Sequence, residues 1–186
     1  LLCADRELAA SDVLGHALGQ EVFEPGHALE LTVVNVAHTH QVVTWGDRAC
    51  GGDSSAAAEQ LQDGVVAVFR GDNSFAALKL GGAVVSWGPS ACHAGHNAVA
   101  EQLAGGVATV CCSDFAFAAL KEAGQVVTWG DPGCGGDSNN VAEELSSGVV
   151  TLRSTEQAFA AVKTGGAVVT WGNPAYGADS RIVAEQ

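Results

Sequence analysis

The 186 residues carry a formal charge of −13, with 21 acidic side chains against 8 basic ones, a balance that excludes nucleic acid and anionic lipid surfaces as direct electrostatic partners. Apolar residues make up 47% of the chain and 24 positions are glycine, which is a folded composition, long enough for one domain or a row of small stacked units. No apolar run approaches the roughly 20 residues of a membrane-crossing helix, so any membrane association is expected to be peripheral and to go through partners.

The chain opens Leu1-Leu2-Cys3 and contains no methionine, which reads as an original start lost by processing or as part of a longer chain, with targeting information gone. Residues 1–32 are expected to form an atypical N-terminal cap or the remnant of a preceding module. Within them Asp5 to Gly19 reads as a short helix or independent cap. Thr32 to Gln41 reads as a degenerate strand leading into Val42.

From residue 33 to 186 the chain is periodic. Val42-Val43-Thr44-Trp45-Gly46 returns as Val84-Val85-Ser86-Trp87-Gly88, Val126-Val127-Thr128-Trp129-Gly130 and Val168-Val169-Thr170-Trp171-Gly172, at intervals of 42 residues. Phe75-Ala76-Ala77-Leu78-Lys79 recurs in phase as Phe117 to Lys121 and Phe159 to Lys163. A third string links Glu59, Leu61, Gly64 and Val65 to Glu101, Leu103, Gly106 and Val107, then to Glu143, Leu145, Gly148 and Val149. Three strings held in one phase define a tandem repeat.

In chain order each unit is predicted to run through a helical turn or fourth strand, a strand starting after Gly64, Gly106 or Gly148, the Phe-Ala-Ala strand, a tight glycine turn, and the Val-Val-Thr-Trp strand. Val141 to Leu145, flanked by Asp137-Ser138 and Gly148, suits a short helix. Alanines on both faces of the Phe-Ala-Ala strand imply another layer close on each side, so the units are expected to stack face to face. Trp45, Trp87, Trp129 and Trp171 are then expected to fill equivalent core gaps between units and to form no ligand site. The fold class is all-β with short helical turns: tandem 42-residue repeats forming part of a β-propeller or an open propeller-like arc. The exposed strand edges of an open arc call for a covering partner or more chain.

Chemistry-bearing residues are sparse. Cys92, His93 and His96 form the one compact cluster of soft ligands, a weak metal candidate because a metal needs three or four converging groups and Cys50 and Cys134 occupy the position of Cys92 in other units. His38 and His40 would share one strand face and read as surface histidines. The Gly-Gly-Asp-Ser strings at Gly51 to Ser54 and Gly135 to Ser138 have no recurring histidine to activate a serine, and capping of the next turn accounts for them. Asp47 with Asp53, or Asp131 with Asp137, falls short of the roughly six to eight oxygens that calcium takes. Cys111 and Cys112 are adjacent and poorly disposed to bridge each other, so cysteine usage leaves the compartment open. No catalytic residue, cofactor or metal site is therefore assigned.

The Gly-x-Val-x-x-Trp-Gly strand, glycine-rich turn and alternating small-residue strand resemble the repeat of the regulator of chromosome condensation family over residues 33–186. That resemblance implies blades of a propeller, here shortened. The family often places a glycine and then a histidine before the small-residue strand. This chain has Gly71 and Ser74, Ser113 and Ala116, then Thr155 and Ala158, and no matching residues for nucleotide exchange or chromatin contact, so the architecture is carried over without the activity. The Trp-Gly-Asp-Pro and Gly-Gly-Asp-Ser strings are also similar to shortened arrays in proteins of photosynthetic microalgae. The expected function is a non-catalytic scaffold for protein–protein interaction, an accessory subunit of a larger complex such as a photosynthetic membrane assembly, with other protein subunits as partners. The location is then thylakoid-associated in the chloroplast, or otherwise cytoplasmic. The alternative is a fragment of a regulatory protein or enzyme, of exchange-factor or ubiquitin-ligase type, whose active part lies elsewhere.

Overall fold

Among the described residues, nine strands in three equivalent sets follow from the repeated strings. The computed structural model describes residues 39–89 and 95–179, all within the compact unit spanning 37–186. The expected cap at 1–32, with its helix at Asp5 to Gly19, and most of the degenerate strand from Thr32 lie outside the described residues. The strands are β1 (Val65–Arg70), β2 (Phe75–Lys79) and β3 (Val84–Trp87), then β4 (Val107–Cys112), β5 (Ala116–Lys121) and β6 (Val126–Gly130), then β7 (Val149–Ser154), β8 (Ala158–Lys163) and β9 (Val168–Gly172). Each set is a three-stranded antiparallel sheet in sequential order.

The turn between the second and third strands explains the glycine pairs. Gly82 donates its N–H to the Lys79 carbonyl at 2.9 Å, and Lys79 donates to the Ala83 carbonyl at 2.8 Å. Closing a hairpin this tightly needs a left-handed residue, and Gly82, Gly124 and Gly166 have φ of +78°, +80° and +91°. A second irregularity repeats at the start of each sheet, where the register slips between Val65 and Ala67, Val107 and Thr109, and Val149 and Thr151. Each slip leaves one extra residue on the first strand, a bulge that sharpens the local twist.

The segment before each sheet is helical and forms no fourth strand. It is a 3-10 helix at Ser55–Leu61, an α-helix, α1, at His96–Leu103, and two 3-10 turns at Asn139–Val141 and Glu144–Ser146. Each version plants one leucine in the core: Leu61, Leu103 and Leu145 are each 1% exposed. The lysine closing each Phe-Ala-Ala strand reaches back to this segment. Lys79, Lys121 and Lys163 donate through Nζ to the carbonyls of Gln60, Gln102 and Glu144, placing a cation where a helical end leaves carbonyls unpaired.

The sheets stack face to face through the alternating alanines. Ala76, Leu78 and Val84 of the first sheet share a core cluster with Phe117, Ala119, Val127 and Trp129 of the second. Ala116, Ala118, Leu120 and Val126 on the other face of the second sheet pack with Phe159, Ala161 and Trp171 of the third. Ala76, Ala77, Ala118 and Ala119 are fully buried, and a larger side chain there would force the sheets apart.

Backbone hydrogen bonds pin both ends of each junction. Val107 donates to the Gly82 carbonyl and Val149 to the Gly124 carbonyl, both at 3.0 Å, while Asp72 donates to Asp114 at 2.9 Å and Asp114 to Glu156 at 2.8 Å. Side chains add to the second junction, where the Ser154 hydroxyl donates to the Cys112 carbonyl at 2.6 Å.

The first Val-Val-Thr-Trp string departs from expectation. His40 makes an isolated bridge with Val65 and Val42 donates to Leu61 at 3.0 Å, but residues 41–45 enter no ladder among the described residues. Trp45 does not fill a core gap: it is 84% exposed, whereas Trp87, Trp129 and Trp171 are 4% exposed or less. Position 33, equivalent to Phe75, Phe117 and Phe159, is valine.

Candidate interaction surface

After Trp45, Trp129 and Trp171 the chain makes a 3-10 turn, at Arg48–Cys50, Pro132–Cys134 and Pro174–Tyr176. Asp47, Asp131 and Asn173 accept from the backbone N–H of Ala49, Gly133 and Ala175 at 2.8, 2.7 and 3.0 Å, so one short polar side chain caps each turn. Gly51, Gly135 and Gly177 then leave the turn with left-handed backbone.

The glycine cannot be replaced where a following unit covers it. An added Cβ at Gly51 would lie 2.8 Å from the Phe75 ring, and one at Gly135 would lie 2.6 Å from Phe159. The same glycines offer their carbonyls to the indoles, Trp87 Nε1 donating to Gly51 at 3.1 Å and Trp171 Nε1 to Gly135 at 3.0 Å. Trp129 Nε1 is buried with no acceptor among the described residues. Its equivalent acceptor position is residue 93, which is not described.

The tips read Arg48-Ala49-Cys50, Pro132-Gly133-Cys134 and Pro174-Ala175-Tyr176, and the first strands of the sheets, β1, β4 and β7, differ between units as well. Arg48 to Cys50, Pro132, Gly133 and Pro174 to Tyr176 are exposed, while Cys134 is turned into the core. Arg48 reaches Asp53 at 2.7 Å. Hydrogen bonds from the side chain and backbone of Ser55 hold the Asp53 carboxyl below its ordinary range, with the Arg48 guanidinium adding to the effect. The tips are thus sequence-variable groups on a constant frame.

Of the weak metal candidates, Cys92 and His93 lie outside the described residues, and His96 has a structural occupation. Its Nδ1 sits 3.0 Å from the Ser86 hydroxyl, and its ring meets Trp129 edge-on at 5.8 Å. Thr44 pairs with Ser54 at 2.8 Å and Thr128 with Ser138 at 2.9 Å in the same geometry. His96 stands where the other units have serine, ten residues after a strand hydroxyl. That phase was visible in the sequence, and it identifies His96 as a tie between helix and strand. No group of three or more histidine, cysteine or acidic side chains converges among the described residues.

The carboxylates of the glycine-rich strings also have local occupations. Asp53 and Asp137 each accept from the N–H two residues on, at 2.9 Å, so the aspartates cap the following segment while Ser54 and Ser138 bond the strand. His40 is exposed. Cys112 is half-buried, and its thiol is pushed up to about 12 by burial, with Cys111 beside it adding to the shift.

No protein-family model matches the sequence, and no curated protein matches it. Among solved structures the chain is similar to Prp20p from Saccharomyces cerevisiae, a protein studied for its binding to Gsp1p and histones, with a TM-score of 0.46 and 18% identity over 69% of this chain and 39% of that one. It is similar to the ectodomain of the Physcomitrella patens receptor kinase CR4, with a TM-score of 0.39 and 19% identity over 57% of this chain and 29% of that one. For human WBSCR16 the TM-score is 0.38, at 20% identity over 59% of this chain and 35% of that one. The chain therefore spans well under half the length of these structures. Its three antiparallel three-stranded sheets, stacked face to face, are consistent with consecutive blades of a propeller arc.

Proposed function

We propose that the chain is a non-catalytic β-repeat scaffold that binds other proteins, as an accessory subunit of a larger assembly. The observation that carries this reading is the division between frame and tip. Capping side chains, left-handed glycines and stacked rings repeat with little change, while on the exposed turns Arg48 stands where the other described units have proline and Tyr176 where they have cysteine. Variation confined to exposed loops on a rigid support is how repeat folds carry recognition. The similarity to microalgal arrays favours a photosynthetic membrane assembly, reached peripherally through partners. No helix among the described residues is long and apolar enough to cross a membrane.

The test is the native mass of the chain in a gentle extract of its source cells, followed by mass spectrometry. Migration at hundreds of kilodaltons with a fixed set of companions supports the reading. Migration without companions overturns it in favour of a regulatory protein whose active part lies elsewhere.

A further inference from the structure

We infer that the outer edges of β3 and β6 take up an extended, lysine- or arginine-bearing segment of another protein as an added strand. The inference rests on the scaffold reading and gives it a site and a partner chemistry.

Each sheet stops at its third strand, and the register decides which backbone groups that leaves over. Lys79 donates to the Ala83 carbonyl at 2.8 Å and accepts from Gly82 at 2.9 Å, so the pairs bonded across β2 and β3 are Ala77 with Val85 and Phe75 with Trp87. The N–H and C=O of Val84 and Ser86 then point away from the sheet. Lys121, bonded to Gln125 and Gly124, sets the same phase in the second sheet and turns the backbone of Val126 and Thr128 outward. None of these residues has a backbone partner on that side among the described residues. The opposite edge carries the bulges of β1 and β4, which interrupt straight pairing, whereas β3 and β6 run in unbroken register.

A groove follows each outer edge. The one at β3 has a volume of about 520 Å³ and touches Val84, Val85, Ser86, Trp87 and Gly88 in succession; the one at β6 has about 420 Å³ and touches every residue from Val126 to Gly130. Successive side chains of a strand point to opposite faces, so a groove that meets all of them lies along the edge between the faces. The faces themselves are occupied. Val85 and Trp87 pack with Ala57 and Leu61, and Ser86 turns to His96. Val127 and Trp129 pack with Leu103, and Thr128 bonds Ser138.

The banks of both grooves are the helical segments of successive units, and they choose the sign of the occupant. Gln60 and Asn97 stand on the two banks at β3, Gln102 and Asn139 on those at β6. Residues 53–63, 95–105 and 137–147 contain no lysine or arginine, and Glu59, Glu101 and Glu143 recur exposed in one phase, with Asp63 and Glu144 exposed beside them. Lys79, which lines the groove at β3, is already held by the Gln60 carbonyl at 2.6 Å and by Asp63 at 3.5 Å. A strand that alternates basic and apolar side chains meets main-chain groups at the edge and carboxylates on the banks.

The experiment titrates the isotope-labelled full chain with a synthetic peptide of alternating lysine and valine and follows amide exchange at Ser86 and Thr128 by nuclear magnetic resonance. At nine-tenths occupancy both amides are expected to exchange about tenfold more slowly, because only the free tenth exchanges. The same peptide with every backbone nitrogen methylated keeps its charge and cannot pair as a strand, and a glutamate–valine peptide pairs but is repelled; neither is expected to slow either amide. Unchanged exchange at Ser86 and Thr128 with the lysine peptide overturns the inference, whether the peptide stays free or binds elsewhere by charge. Equal protection from the methylated or the acidic peptide also overturns it. Failure here is distinguishable from failure of the scaffold reading: a chain with a fixed set of companions in extract, whose Ser86 and Thr128 amides stay unprotected, keeps the scaffold and loses this site.

Discussion

Phe117 and Trp129 face each other across β5 and β6 with ring centroids 5.2 Å apart and planes 12° from parallel. Phe75 with Trp87 and Phe159 with Trp171 repeat the arrangement at 5.4 and 5.3 Å. Each pair fills its sheet's contribution to a junction between layers. Phe117 is fully buried, so Phe117→Ala leaves a cavity between two sheets that cannot collapse independently. The expected loss is about 3–5 kcal/mol, read from the urea midpoint.

The hairpin glycines separate backbone strain from contact between units. Gly82→Ala and Gly166→Ala both force a Cβ onto left-handed backbone, at about 1–2 kcal/mol each. Only at Gly82 does the new methyl also meet a following strand. Gly82→Ala is therefore expected to be the more destabilising in thermal melts, and equal melting temperatures would show that the junction yields easily.

Lys121 donates to the Gln102 and Gly105 carbonyls at the end of α1. Lys121→Met keeps the stem and removes the charge-assisted bonds, so the cost is expected at about 1.5–3 kcal/mol. Amide hydrogen exchange should rise first in His96–Leu103. Unchanged protection there would mean that the lysine does not hold the helix end.

Thiol chemistry distinguishes the cysteines at mildly alkaline pH. Exposed Cys50 is expected to alkylate quickly and Cys112 slowly, because burial pushes the Cys112 thiol from 9.0 to about 12. The raised folded pKa favours the neutral thiol, so its contribution to stability is complete below the unfolded value. It is lost as pH rises from 9.0 toward 12. Peptide mapping after timed alkylation checks the order, and equal rates for Cys50 and Cys112 would contradict it.

The period, the strands and the face-to-face stacking were legible because the apolar strings alternate with a β period and alanine recurs on both faces of one strand. Three finer features had a signal that pattern reading passed over. Lys79, Lys121 and Lys163 recur in phase in a chain with only 8 basic residues, which marks a repeated polar task. His96 stands in the phase of Ser54 and Ser138, so its cluster with Cys92 and His93 drew attention away from its strand partner. Val33 stands in the phase of Phe75, Phe117 and Phe159, which sets the unit of Trp45 apart from the others in sequence. The helical segment was harder to specify, since three related sequences settle as one 3-10 helix, one α-helix and two separate 3-10 turns. These conformations differ little in local energy, and burial of one leucine is what they share.

The hydroxyl beside the β1–β2 turn moves between units. Ser113 donates to the Cys134 carbonyl at 2.9 Å, and Thr155 to the Tyr176 carbonyl at 2.8 Å. In the first unit that position is Gly71, and an added Cβ there would sit 3.0 Å from Ser74 Oγ, so Ser74 occupies the space from the other side. Positions 71 and 74 thus act as a pair, as do 113 with 116 and 155 with 158. A genetic exchange between repeats that falls inside such a pair yields one unit with two hydroxyls in the space of one and another with none. A breakpoint outside the pair keeps one hydroxyl in that space in every unit.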